Sequence, residues 1–189
     1  MAGMIPLMPP PSTERMYLVM VRYLLVLLIC SFLSGCVTCP KTTVCFTPRG
    51  NCAEQITNAI DQAQKSILVQ AYTFTSKLIA QSFIRAKKRG VDIKVILDES
   101  QISSKYSVIN ELFYQKIPVY IGYKPAISHS KIMIIDEQKI ITGSFNFSDS
   151  AQKRNAENPL IITGDLLLVE QYVENWKNRQ SQSKPYEPE

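Results

Sequence analysis

His129 is the only histidine in the chain, and it sits in AISHSKIMIID (126–136) with Lys131 two residues on and Asp136 seven residues on. An imidazole is a nucleophile and proton carrier near neutral pH, and an ammonium supplies charge and N–H donors. The apolar residues around the pair read as a strand, in which side chains two apart project to the same face. His129 and Lys131 therefore share a face, an arrangement suited to a phosphate group. The ammonium would hold the non-bridging oxygens and the imidazole would attack phosphorus. Asp136 has the opposite parity and falls at the strand end. Its reading is a supporting one, orienting a neighbour or pairing with a lysine.

Further polar residues follow within reach. KIITGSFNF (139–147) reads as the adjacent strand, with Ser144 and Asn146 on one face and Gly143 permitting close approach. The Asn146 amide can donate to a phosphate oxygen. In NAEN (155–158), Glu157 can accept the Nδ1 proton of His129 and leave Nε2 free to attack. Each residue alone has a plainer reading: a structural histidine, a solvated lysine, a turn-forming aspartate, a surface glutamate. Their combination, with the right parity for the central pair, points to a site. Lys124, Lys153 and Arg154 lie near it in sequence and are candidates for binding a polyanion. Lys87, Lys88 and Arg89 fall in the last turn of a helical segment and are read as complementing its dipole.

The elements that must position these groups alternate. TVCFT (43–47), SILVQAYTF (66–74), VDIKVILD (91–98), IPVYIGY (117–123), KIMIID and PLIITG (159–164) read as strands. Helical spacing runs over 52–64, 76–90 and 107–115, and a last helix starts at the N-cap Asp165 with Val169, Tyr172, Val173 and Trp176 on one face. Continuously apolar strands separated by helices predict an α/β fold: a mixed, largely buried β-sheet with helices on both faces.

The chain has 189 residues, enough for one domain plus an N-terminal segment. Its formal charge of +5 becomes +4 without residues 1–35, mildly basic and not diagnostic of a nucleic-acid partner. Residues 23–35 read YLLVLLICSFLSG after Arg22, too short for a comfortable membrane span and suited to a signal-peptide core. The run ends in Leu33-Ser34-Gly35-Cys36, similar to a bacterial lipobox, so Cys36 is the expected lipidation site. The proline-rich residues ahead of it are unusual for a signal, and Met16 and Met20 are alternative starts. The expected division is an export segment (1–35), a linker (36–43), a catalytic domain (44–180) and a loose polar tail (181–189). All five cysteines lie in the first 52 residues. Cys45 and Cys52 flank a turn-forming stretch and read either as a disulfide of an exported protein or as two buried thiols. The spacings do not suit a zinc site.

HSKIMIID, followed by GSFNFS and NAEN, resembles the HKD signature of the phospholipase D superfamily, and in particular its short, one-motif bacterial endonucleases. The resemblance runs from VCFTPRGNC through QAYTFTS and AKKRGVDIKVILDES to VENWKNR. It implies a phosphohistidine mechanism with no metal or other cofactor. His129 carries over as nucleophile, Lys131 and Asn146 as phosphate ligands, Glu157 as the histidine's partner, Asp136 as a supporting residue and Ser144 as a small hydroxyl.

The chemistry wants a second proton-transferring group, and the chain has one motif, so the expected assembly is a two-fold homodimer with two copies of His129 at one site. The first expected substrate is DNA, with RNA a further candidate, cleaved with little sequence preference. The alternative is phospholipid, against which the sequence offers no evident apolar loop beside the motif. A third reading is a lipoprotein that binds or takes up DNA without cleaving it. The expected location is the periplasm or the outer membrane, with the N-terminal segment or its lipid as anchor.

Overall fold

The computed structural model describes residues 13–32 and 39–188. The chain divides into two units, Met1–Thr38 and Cys39–Glu189. The first holds helix α1 (Thr13–Phe32), which takes in most of the apolar run read as a signal core. Cys36 lies outside the described residues.

The second unit is a single eight-stranded sheet with helices on both faces. In chain order its elements are β1 (Lys41–Val44), α2 (Cys52–Asp61), β2 (Ser66–Ala71), α3 (Lys77–Lys88), β3 (Asp92–Asp98), α4 (Ser100–Ser103), α5 (Ile109–Tyr114), β4 (Val119–Gly122), β5 (Lys131–Ile135), β6 (Lys139–Gly143), α6 (Asp149–Lys153), β7 (Pro159–Thr163), α7 (Leu166–Ser181) and β8 (Ser183–Pro185). The sheet order is β1-β7-β6-β5-β2-β3-β4-β8. β2, β3 and β4 are parallel and need crossovers, which carry α3 and α5. The other pairings are antiparallel.

Alternation along the strands divides the core. Ile67, Val69, Ala71, Ile93, Val95, Met133 and Ile135 join the cluster formed with α2, α3 and α5. Ile96, Ile134 and Ile140 pack with Val169, Val173 and Trp176 of α7 on the opposite face. Each fully buried isoleucine contributes about 2 kcal/mol of transfer free energy. The Trp176 indole N–H donates to the Val69 carbonyl at 2.8 Å, so α7 is tied to the strand that leads into the site. Ser76 caps α3 by accepting from the Ile79 N–H. Gly90, at φ +92°, ends that helix where a side chain would be strained. Arg89 donates to the carbonyls of Ile60 and Ala63, and so satisfies the end of α2 as well.

Several elements differ from expectation, among them the short helices α4 and α6, which were not foreseen. The sixth strand stops at Gly143 instead of running to Phe147. Gly143 has φ +141°, and a Cβ there would lie 2.1 Å from the Asn158 carbonyl oxygen. Beyond it the chain turns away, burying Phe145 and Phe147 and forming a single parallel bridge between Phe147 and Phe74.

The expected linker contributes β1, because Lys41–Val44 pair with Leu160–Thr163. The expected loose tail is ordered too: α7 reaches Ser181, and β8 pairs with β4 through Ser183–Pro185. Tyr186 follows, its hydroxyl donating to Asn110 Oδ1 at 2.7 Å and its N–H to the Val119 carbonyl. Without β8, the β4 edge would present unpaired backbone groups. Of the two readings for Cys45 and Cys52, the structure makes the disulfide, with Cα atoms 5.5 Å apart.

Candidate active site

The antiparallel register of β2 and β5 sets Ala71 opposite Lys131, bringing the carboxyl end of one strand beside the amino end of the other. The Tyr72 N–H donates to the Ser130 carbonyl at 2.8 Å and extends the ladder by one residue. His129 lies just past this last rung. Its approach is fixed from both flanks. The Ser128 N–H donates to Oδ2 of buried Asp98 at 2.8 Å, and the Gln70 amide reaches the Ser130 hydroxyl at 3.1 Å and that of Ser128 at 3.4 Å. The serines thus bind on the side opposite His129 and Lys131, as alternation requires.

His129 is exposed, whereas Lys131 is only 7% exposed. The Lys131 Nζ lies 3.1 Å from Nδ1 and 3.3 Å from Nε2 of the imidazole and donates to the His129 carbonyl at 2.8 Å. Tyr72 packs against the imidazole as well, with centroids 4.4 Å apart, and its own ring lies 5.1 Å from the Lys131 nitrogen. Burial pushes the Lys131 pKa below its ordinary value, opposed by the nearby Glu157 carboxylate. A desolvated ammonium touching a solvent-facing imidazole is a compact site for a phosphate: charge below, nucleophile at the surface.

The other predicted residues divide. Asn146 stands at this end of the sheet, because the Phe147 carbonyl accepts from Thr75 and Ser76 just beyond β2. Its Oδ1 is buried without a hydrogen-bond partner, and it lines a cleft of about 670 Å³ with Thr73, Thr75, Lys77, Ser148 and Arg154. Glu157 acts on the site through its charge on Lys131. Its Oε1 accepts from Asn155 Nδ2 at 3.0 Å, and the expected bond to His129 is not formed, both ring nitrogens facing Lys131 instead. Ser144 is committed elsewhere: its hydroxyl accepts from the Asn158 N–H at 3.0 Å and locks the turn between β6 and β7. Ser144 and Asn146 do not share a strand face, because the strand has already ended.

Lys124 is exposed on the loop leading to His129. Lys153 pairs with Asp149 at 3.0 Å in solvent, and Arg154 donates to the Ser150 hydroxyl at the cleft edge.

Asp136 is absent from this cluster. It lies at the far end of β5, about 20 Å from His129 at the rise of an extended strand. With φ +55°, it turns its carboxylate onto the N–H groups of Gln64 (2.9 Å), Lys65 (2.7 Å) and Ser66 (3.0 Å). Partial burial would raise its pKa, but the donors of Ser66, Gln64 and Lys65 and the Lys65 charge together outweigh it and hold the carboxyl below the ordinary range. Although it belongs to the motif it does not join the catalytic group, and its supporting role is to clip the start of β2 to the end of β5.

Sequence reasoning missed Tyr72, Gln70 and Asp98. Asp98 carried a signal, a carboxylate closing a buried parallel strand, where such sheets place their sites. Tyr72 also borders a second cleft of about 460 Å³, lined by Asp98, Glu99, Ser100 and Ser103 as well as by Ile102, Tyr123, Ala126 and Ile127.

A mixed sheet that presents one His-Lys pair and an uncommitted carboxamide at a strand end defines a phosphodiesterase site of the phospholipase D type. A family profile described as cardiolipin synthase, PLD-like domain, matches residues 56–179, and the chain belongs to the phospholipase D superfamily. It is 47% identical over 141 residues to a phospholipase D of Rickettsia conorii, covering 75% of this chain and 70% of that protein. It is 28% identical over 142 residues to the mitochondrial cardiolipin hydrolase of Homo sapiens, covering 73% and 56%. Among solved structures it is similar to the phospholipase D family member Nuc of Salmonella typhimurium, with a TM-score of 0.75, 34% identity, and coverage of 78% of this chain and 98% of that one. NucT of Helicobacter pylori, at TM-score 0.71 and 24% identity, shares the fold over 78% and 99% of the two chains.

Proposed function

We propose that this phosphodiesterase hydrolyses the headgroup phosphodiester of phospholipids through a covalent intermediate on His129. The observation that carries the reading is the cleft beside Tyr72, where exposed apolar side chains stand among Asp98, Glu99, Ser100 and Ser103. Ile102, Tyr123 and Ile127 are 47%, 42% and 56% exposed, on the loop entering the motif and the segment facing it. No apolar loop was evident beside the motif, because Ile102 and Ile127 come from separate segments. Solvent-facing side chains of this kind next to a phosphate site suit a substrate that is charged at one end and apolar at the other. The names of the Rickettsia relatives support the same substrate class.

An imidazole nitrogen of His129 attacks phosphorus while Lys131 and Asn146 hold the non-bridging oxygens. The bond to the headgroup oxygen breaks, and that oxygen takes a proton from a second acid. The proposed acid is His129 of the partner subunit in a two-fold homodimer. The same group then takes a proton from water, whose oxygen displaces the histidine and releases a phosphate monoester. Export is part of the proposal, supported by the disulfide, with the N-terminal segment or a lipid on Cys36 as membrane anchor.

A second reading, cleavage of DNA or RNA, is favoured by the cleft that Asn146 lines, where Lys77 and Arg154 stand with it. The test sets phosphatidylcholine and cardiolipin vesicles beside supercoiled plasmid, all in EDTA, with His129→Ala as control. Headgroup release that the variant lacks is the expected result. Plasmid nicking without lipid turnover would transfer the proposal to nucleic acid, and turnover of neither would end it.

A further inference from the structure

The turn between Cys45 and Cys52 touches no substrate-facing group, yet it is built with unusual care and is aimed at one segment. Its ends are joined by the disulfide. Gly50 permits the close passage, since a Cβ there would lie 2.3 Å from the Phe46 carbonyl oxygen and 2.8 Å from Cys45 Sγ. Gln152 fastens the turn from below, accepting from the Ala53 N–H at 2.7 Å and donating to the Gly50 carbonyl at 2.7 Å. At its apex Thr47, 7% exposed, binds the segment that carries Glu157 three times. The Thr47 N–H donates to the Glu157 carbonyl at 3.0 Å, the Glu157 N–H donates to Thr47 Oγ1 at 3.1 Å, and that hydroxyl donates to the Asn155 carbonyl at 3.0 Å.

We propose that Thr47 is a positioning residue for Glu157, and that the disulfide-closed turn exists to hold it there. The proposal rests on the reading of Glu157 as the carboxylate that tunes the His129–Lys131 pair. The segment 154–158 is otherwise a connection between α6 and β7. An irregular connection sets a side chain loosely unless its backbone groups are bound. Both backbone groups of Glu157 are taken by Thr47, which leaves its carboxylate a narrow range of positions. Asn155, whose amide holds Oε1, is fixed by the same hydroxyl. The disulfide acts at one remove, by limiting the conformations open to the turn.

The experiment is a double-mutant cycle with kcat, KM and the pH profile of kcat read for each protein. Thr47→Val removes the hydroxyl and keeps the shape. It is expected to lower kcat about tenfold with KM little changed, the loss expected for one misaligned hydrogen-bonded group. Its pH profile should shift in the same direction as that of Glu157→Gln. Thr47→Ser keeps both hydroxyl bonds and should restore kcat to within about twofold of the parent. In the Glu157→Gln background, Thr47→Val should cost nothing further. An equal cost in both backgrounds, or a pH profile that Thr47→Val leaves in place, would overturn the proposal. A Glu157→Gln enzyme with unchanged kcat and profile would instead overturn the reading of Glu157. Thermal melting of each variant separates either outcome from loss of folding.

Discussion

The two ends of β5 carry the two halves of one sequence motif, and they do different work. At the amino end, an exposed imidazole rests on a desolvated lysine whose burial disfavours its charge. At the carboxyl end, Asp136 in a left-handed turn gathers three backbone N–H groups that favour its charge. One end stores a cost that chemistry can use, and the other supplies the stability that holds the strand in register. Side chains seven residues apart in sequence are here too far apart to share a substrate, so a motif can report a fold and a reaction together.

The contrast predicts opposite signatures. His129→Ala should lower kcat by about 10⁴-fold or more. Its melting temperature should move by no more than about 1 °C, because the side chain is exposed. Steady-state assays with calorimetry check this, and a variant that is both inactive and unfolded would remove the distinction. Lys131→Met should lower kcat by roughly 10²- to 10³-fold. It should also raise the melting temperature by about 2 °C, since the cost of the buried charge disappears.

That cost is present below the lowered pKa of Lys131 and is relieved as pH rises towards the ordinary value of 10.5, so the stability gain of Lys131→Met should shrink in alkali. Asp136→Asn should do the reverse at its own end. It should lose about 2 kcal/mol of stability at pH 7, allowing for its partial exposure, and keep kcat within about threefold. The Asp136 contribution is present above the ordinary value of 3.8 and is lost as pH falls through the depressed one. Denaturant melts across acid pH should therefore show the parent and variant curves converging. A drop in kcat as large as that of Lys131→Met would contradict the division between the two ends.

Much of this was legible in residues, and what was not has physical causes. The pairing of His129 with Lys131 follows from strand parity alone, and the sheet with helices on both faces from apolar runs alternating with helical spacing. The stop at Gly143 was hidden because the apolar run continues through Phe145 and Phe147, which are buried in a different geometry. β8 was hidden because Ser183, Lys184 and Pro185 make an edge strand with no apolar alternation, defined by the unpaired side of β4. Tyr72, Gln70 and Asp98 reach the site across strands, and register is not written in any one segment. The commitment of Ser144 to Asn158 required knowing that the sixth strand ends early.

The central claim, two displacements at phosphorus with His129 bonded between them, has a direct stereochemical test. A phosphodiester analogue made chiral at phosphorus by a sulfur substituent, hydrolysed in heavy-oxygen water, reports the number of displacements. Two in-line steps predict a product with retained configuration, together with an adduct on the His129 peptide when turnover is quenched. Inverted configuration would mean that water attacks phosphorus directly, and would contradict the account.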